Sequence, residues 1–123
     1  MGLKKVLIVE DSEKNLKLAA IIVQSMGYEA LTAVDGEEGV RVAREENPAL
    51  ILMDIQMPKM DGITALNILK ADEKMKGIPV IAMTSYAMKG DMEQLLSQGF
   101  TDYISKPIEK SRFIEVVEKA LKE

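Results

Sequence analysis

The sequence predicts an α/β domain of the three-layer, doubly wound (βα)5 kind, a five-stranded parallel sheet between two layers of helix. Three observations carry this. Val6 to Val9, Leu50 to Met53 and Val80 to Met83 are short apolar runs without polar alternation, as in strands covered on both faces. Stretches with apolar residues at helical spacing separate them. Each run also stops abruptly at a polar residue. A length of 123 residues fits one domain, because most hold about 100 to 150. With 47% hydrophobic and 29% charged residues, the chain can bury a core, and disorder is excluded as its main state.

Taken in order, the first strand is Val6 to Val9, and Glu10-Asp11 follow it. Residues 13 to 26 form a helix with Leu18, Ala19, Ile22 and Met26 on one stripe. Asp11 or Ser12 would cap it, with Glu13 in the first turn, and a cap can coexist with a ligand role. Gly27-Tyr28 breaks the helix before a second strand, Ala30 to Val34. Asp35-Gly36 reads as a turn or helix start, residues 37 to 46 set Val40 and Ala43 on one face, and Pro48 stops the chain soon after. Leu50 to Met53 is the third strand. Asp61-Gly62 is another turn or helix start before a helix from Thr64 to Ala71. The fourth strand, Val80 to Met83, precedes a helix from Met88 to Gln98. After Gly99, Tyr103-Ile104 and their neighbours make a fifth strand. Lys110 to Leu121 closes the series, with Phe113, Val116, Val117 and Ala120 at helical spacing. Alternation of this kind implies right-handed crossovers and a parallel sheet. A single domain over 1–123, without repeat or linker, is expected.

Composition removes much of the chemical menu. Cys and His are both absent, so disulfides, thiolate metal sites, Cys nucleophiles, the Ser-His-Asp triad and a phosphohistidine on this chain are all excluded. Sixteen basic against twenty acidic side chains leave a net charge of −4 with no basic run, and no direct nucleic-acid partner is expected. Only four apolar residues run between Lys5 and Glu10, too few for a signal sequence or membrane span, so the cytoplasm is the default. Val6 stands where a myristoylation signal wants Ser or Thr. Eight glycines form neither G-x-G-x-x-G nor a Walker loop, and the acidic first strand-to-helix turn disfavours nucleotide phosphates. The nine methionines read as core filler and a pliable contact surface.

Ligands of open parallel sheets bind beyond the carboxyl ends of the strands. Those ends carry Glu10 and Asp11, Asp54, Thr84-Ser85, and Lys106-Pro107. Separately, each has an ordinary reading: a cap, a loop start, a strand threonine, a solvated lysine. Their coincidence at successive strand ends points to one site. Three carboxylates stay ionised together more readily around a cation. Oxygen-only donors with room for water favour Mg²⁺ over Ca²⁺, and a nearby lysine suits an incoming phosphoryl oxygen.

These residues resemble the receiver domains of bacterial two-component response regulators. The resemblance rests on Val6-Leu7-Ile8-Val9-Glu10-Asp11, on Leu52-Met53-Asp54-Ile55-Gln56-Met57-Pro58-Lys59-Met60-Asp61-Gly62, on Pro79-Val80-Ile81-Ala82-Met83-Thr84, and on Tyr103-Ile104-Ser105-Lys106-Pro107. It covers almost the whole chain. Ala87-Met88-Lys89-Gly90-Asp91 is most similar to single-domain receivers of the DivK type, although receivers of hybrid kinases share it. The resemblance implies a CheY-like, flavodoxin-like sheet of order 2-1-3-4-5. It implies that Asp54 accepts a phosphoryl group from the phosphohistidine of a kinase or phosphotransfer protein. Glu10, Asp11, Asp54 and the main-chain carbonyl of Gln56 would hold Mg²⁺ (or Mn²⁺), with Glu10 reaching it directly or through water. Lys106 would pair with the phosphoryl group, Thr84 would donate its hydroxyl to it, and Tyr103 would turn inward. The surface of helix 4, strand 5 and helix 5 would then change for a downstream protein, as a monomer or a phosphorylation-dependent dimer. Gln56 and Tyr86 sit where hydrolysis of the acyl phosphate is tuned, and Ser85 leaves access open. Leu16 and Ile21, off the stripe of helix 1, would meet a kinase's helical bundle together with Pro107 and Ile108.

Other functions compete with this one. A phosphatase with an aspartyl nucleophile needs an acid two positions after Asp54, where Gln56 stands. An interaction module with a vestigial acidic pocket and a receiver cut from a larger regulator share the same residues. The chain is expected not to turn over an external substrate.

Overall fold

The computed structural model describes residues 2–57, 59–85 and 88–122. Pro58, Tyr86 and Ala87, named above, lie outside them. Ten elements alternate along the chain: β1 (Lys5–Val9), α1 (Glu13–Ser25), β2 (Glu29–Ala33), α2 (Gly36–Glu46), β3 (Leu50–Asp54), α3 (Gly62–Lys70), β4 (Val80–Thr84), α4 (Lys89–Ser97), β5 (Asp102–Ser105) and α5 (Lys110–Lys122). All strand pairs are parallel, in the order β2-β1-β3-β4-β5, so the flavodoxin-like expectation holds.

Strands buried on both faces divide their side chains between two cores. Leu7, Val9, Ile51, Met53, Val80 and Ala82 point to the face covered by Val40 and Ala43 of α2, Ala65, Leu66 and Leu69 of α3, and Leu95 of α4. Val6, Ile8, Leu50, Leu52, Ile81 and Met83 point to the face covered by Ala19, Ile22 and Val23 of α1 and Phe113, Val116 and Val117 of α5. The strict alternation is the pleat expressed twice. Each buried aliphatic side chain contributes roughly 1.5–3 kcal/mol of transfer free energy, which sets the register of every strand.

The helix starts are chemically specified. Ser12, Asp35 and Asp61 are the N-caps of α1, α2 and α3, accepting from the amides of Asn15, Glu38 and Thr64, and each satisfies an amide the helix leaves open. Asn47 ends α2 in the left-handed region at φ 48°, with Pro48 next in sequence.

Two expectations need correction. Leu18 is 40% exposed and off the core stripe, while Leu16, expected off it, packs against the α1/α5 core. The stripe runs through Leu16, Ala19, Ala20, Val23 and Met26, and one residue step turns the helix by about 100°, carrying Leu18 to the flank. β2 also ends at Ala33, so Val34 lies beyond the strand, half exposed. In the other direction, β3 and β4 each run one residue past their apolar runs, making Asp54 and Thr84 the last residues of strands.

Gly62 fixes how α3 meets that strand end. A Cβ there would lie 2.4 Å from the carbonyl oxygen of Asp54 and 3.0 Å from Cα of Ile55. Both are backbone atoms that cannot swing aside. Gly62→Ala is therefore expected to lose about 1–3 kcal/mol in urea unfolding and to shift the amide resonances of residues 54–56. Gly77→Ala, where a Cβ meets nothing within 4 Å, is expected to stay within about 0.5 kcal/mol of wild type. Equal stability of Gly62→Ala and wild type would contradict the packing argument.

Candidate functional site

The parallel register brings the strand ends level. Val9 pairs with both Ala33 and Met53, Asp54 with Met83, and Thr84 with Ser105. The ladder then runs on past the strands: the amides of Glu10, Ile55 and Lys106 donate to the carbonyls of Ala33, Met83 and Thr84 at 3.0, 3.0 and 2.8 Å. Each functional residue therefore stands on a hydrogen-bonded backbone rather than a free loop. β1 and β3 are adjacent although not consecutive, so their ends mark the point where the winding reverses, the usual crevice of such sheets.

Glu10, Asp54 and Thr84 are the buried polar and charged residues of this molecule among those described, each about 1% exposed. Lys106 joins them from the β5 end, its Nζ 2.7 Å from Glu10 Oε1 and 3.0 Å from Asp54 Oδ1. The other oxygen of Glu10 accepts the amide of Ser12 at 3.0 Å, which ties the carboxylate to the first turn of α1. Asp54 Oδ1 also accepts the amide of Gln56 at 3.2 Å. Asp11 is exposed, and its carboxylate comes into reach of the other two: one oxygen each from Glu10, Asp11 and Asp54 lie within 4.8 Å of one another. Because Ser12 takes the capping role, Asp11 is not needed for it.

Charge at this site is out of balance. Burial pushes the Asp54 carboxyl up to about 7, the neighbouring Glu10 carboxyl adds to that, and Lys106 opposes it. Burial alone would lower the Lys106 ammonium, but its contacts with Glu10 and Asp54 outweigh it and hold it above its ordinary value. One ammonium thus serves two buried carboxylates with a third close by, and a further cation would relieve the repulsion. All-oxygen donors suit a hard divalent ion, so the donor set fits Mg²⁺.

Thr84 ends β4, next to the Met83 that pairs with Asp54, and its Oγ1 accepts from Gln56 Nε2 at 3.2 Å. Tyr103 sits one strand away, half-buried at the rim of the α2/α3/α4 core, with the Arg112 guanidinium 5.7 Å above its ring. Of the residues picked out at the strand ends, Glu10, Asp11, Asp54 and Lys106 come together, and Thr84 joins them through Gln56. Three contacts were not foreseen: the Gln56 carboxamide on Thr84, the Ser12 amide on Glu10, and Arg112 over Tyr103. A donor-bearing side chain two places after a buried strand-end Asp was the available signal for the first. The second is a local turn contact, Ser12 lying two residues after Glu10, and the third needs α5 packed beside β5.

Known proteins resemble this chain in sequence and fold. A family model described as the response regulator receiver domain matches residues 6–118. The polar-differentiation response regulator DivK of Brucella ovis is 48% identical over 118 residues, covering 96% of this chain and 96% of that protein. DivK of Brucella anthropi is 47% identical over the same length. Among solved structures, chemotaxis protein CheY4 of Vibrio cholerae superposes with a TM-score of 0.90 at 25% identity, covering 98% of this chain and all of that one. The receiver domain of a sensor histidine kinase from Pseudomonas aeruginosa PAO1 has a TM-score of 0.89 at 31% identity, with all of both chains covered, and carries a magnesium ion coordinated in its active site cleft. With its fold, its acidic strand ends and these likenesses in agreement, this chain belongs to the response regulator receiver domain family, the phosphoacceptors of two-component signal transduction.

Proposed function

We propose that Asp54 is the phosphoacceptor. The supporting observation is the buried Asp54 carboxylate at a strand end with the Lys106 ammonium 3.0 Å away. An oxygen of Asp54 attacks the phosphorus of a donor phosphohistidine, an O–P bond forms, the P–N bond breaks, and its electron pair leaves with the donor imidazole. Lys106 turns from its carboxylates to the phosphoryl oxygens, and the Thr84 hydroxyl donates to them once the acyl phosphate exists. Such transfers need positioning and charge neutralisation more than covalent help from the protein. Asp11, Asp54 and the main-chain carbonyl of Gln56 would hold Mg²⁺, or Mn²⁺ in its place, with Glu10 completing the acidic set from its post beside Lys106. When bound, the ion neutralises the phosphoryl oxygens.

In this reading residues 1–123 act as one receiver domain that modifies itself and turns over no external substrate. Withdrawal of Thr84 lets Tyr103 move inward, away from Arg112, and alters the face of α4, β5 and α5 for a downstream protein. The donor is a histidine kinase or a histidine phosphotransfer protein, which places the reaction in the cytoplasm. No helix among the described residues is long and apolar enough to cross a membrane. Ile21, 62% exposed on α1, and the exposed Pro107 form the apolar edge offered to the donor's helices.

Four outcomes test this. With a phosphorylated donor and Mg²⁺, wild type is expected to take up acid-stable, hydroxylamine-sensitive label, while Asp54→Asn takes up less than about 1% as much; equal labelling overturns the assignment. In chelator-treated buffer at neutral pH, Asp54→Asn is expected to be more stable than wild type by about 1 kcal/mol, because it removes one of two buried carboxylates sharing a lysine. Millimolar Mg²⁺ should raise the wild-type midpoint and not that of the variant, by mass action on a folded-state site. Ile21→Ala is expected to slow transfer severalfold with unchanged unfolding, and an unchanged transfer rate would move the docking edge elsewhere.

A further inference from the structure

The hydrogen bond from Gln56 to Thr84 has no part in the phosphoryl transfer just described, yet it holds the hydroxyl that must travel. The backbone of Gln56 is fixed, since its amide donates to Asp54 Oδ1, while the carboxamide reaches across to Thr84 Oγ1 from the exposed rim of the site. That carboxamide borders a cavity of about 210 Å³ whose walls include Ile63, Thr84, Leu95 and Gln98. Gln98, another of its lining residues, carries an unusual group. Gln98 Oε1 is shut away from solvent and receives no hydrogen bond from any described residue, which native structures seldom tolerate without a reason.

We propose that Gln56 is a two-position latch on the switch. At rest its Nε2 holds Thr84 Oγ1. When Thr84 is drawn toward a phosphorylated Asp54, the carboxamide crosses the cavity and donates to Gln98 Oε1 at the carboxyl end of α4. The exchange conserves hydrogen bonds, because the donor that loses one acceptor gains another that was open. It also joins the active site to the C-cap of α4, which Gln98 itself forms, so occupation of Asp54 is read directly by the helix of the output face. Gln56 is a positioning residue in this scheme. It touches Thr84 and leaves the phosphoryl group to other side chains. The inference rests on the reading that Thr84 moves when Asp54 is phosphorylated.

The chain has four threonines, Thr32, Thr64, Thr84 and Thr101, so threonine-methyl NMR reports on the latch directly. Gln56→Met keeps the length of the side chain and removes the donor. The variant loses one hydrogen bond from each position, so the latch predicts that its Thr84 methyl travels the same distance on phosphorylation whether or not Gln98 is also replaced by Met. Gln98→Met removes the second acceptor, and its Thr84 methyl is expected to travel a shorter distance on phosphorylation than that of wild type. A Gln98→Met replacement that shortens the displacement as much in the Gln56→Met background as in wild type overturns the latch. A full wild-type displacement in phosphorylated Gln98→Met removes the second position and overturns the proposal in that form. If wild-type Thr84 does not shift on phosphorylation at all, the underlying reading of the moving hydroxyl fails, and the latch goes with it.

Discussion

A lysine ammonium lies between two buried carboxylates, and the arrangement of the site follows from that contact. Lys106 Nζ approaches Glu10 and Asp54 from the end of β5 while the carboxylates come from the ends of β1 and β3. Burying either acid alone would cost several kcal/mol. Sharing one cation makes both tolerable, but it leaves the set short of positive charge, as the elevated Asp54 carboxyl reports. A receiver needs that shortage. The acidic set fits a divalent ion, and the proposed nucleophile stays beside the charge that a transferred phosphoryl group would need.

The sheet makes this contact without any long-range search. Two apolar cores lock the register of β1, β3, β4 and β5, and backbone hydrogen bonds carry that register one residue past the strands to Glu10, Ile55 and Lys106. Gly62 lets α3 close against Asp54 where any side chain would strike backbone. Ser12 divides its labour, its hydroxyl capping α1 and its amide holding Glu10. The elements that stabilise the fold are the ones that aim the acidic side chains. Gln56, just past β3, and Thr84, at the end of β4, are linked by a hydrogen bond weak enough to exchange.

Much of this is legible in the linear sequence because the burial of parallel strands writes itself as uninterrupted apolar runs, and the abrupt change at Glu10, Asp54 and Thr84 marks where burial meets chemistry. The elements, their order and the site residues follow from that. What escapes is what depends on angle or on distant neighbours. Leu16 and Leu18 have the same hydropathy and lie two residues apart, so the rotation of α1 alone decides which packs. The Gln56 carboxamide looks like any polar side chain after a strand until β4 brings Thr84 beside it. Arg112 meets Tyr103 only because α5 folds back along β5.

The most direct test of the shared-lysine site uses Mn²⁺ as a paramagnetic stand-in for the divalent ion. Added to ¹⁵N-labelled protein at substoichiometric amounts, it should broaden the amides of Glu10, Asp11, Asp54 to Gln56, Thr84 and Lys106 first, and leave the exposed acidic helix α2 sharp. Broadening centred on Glu37, Glu38, Glu45 and Glu46, with the strand ends untouched, would contradict the account.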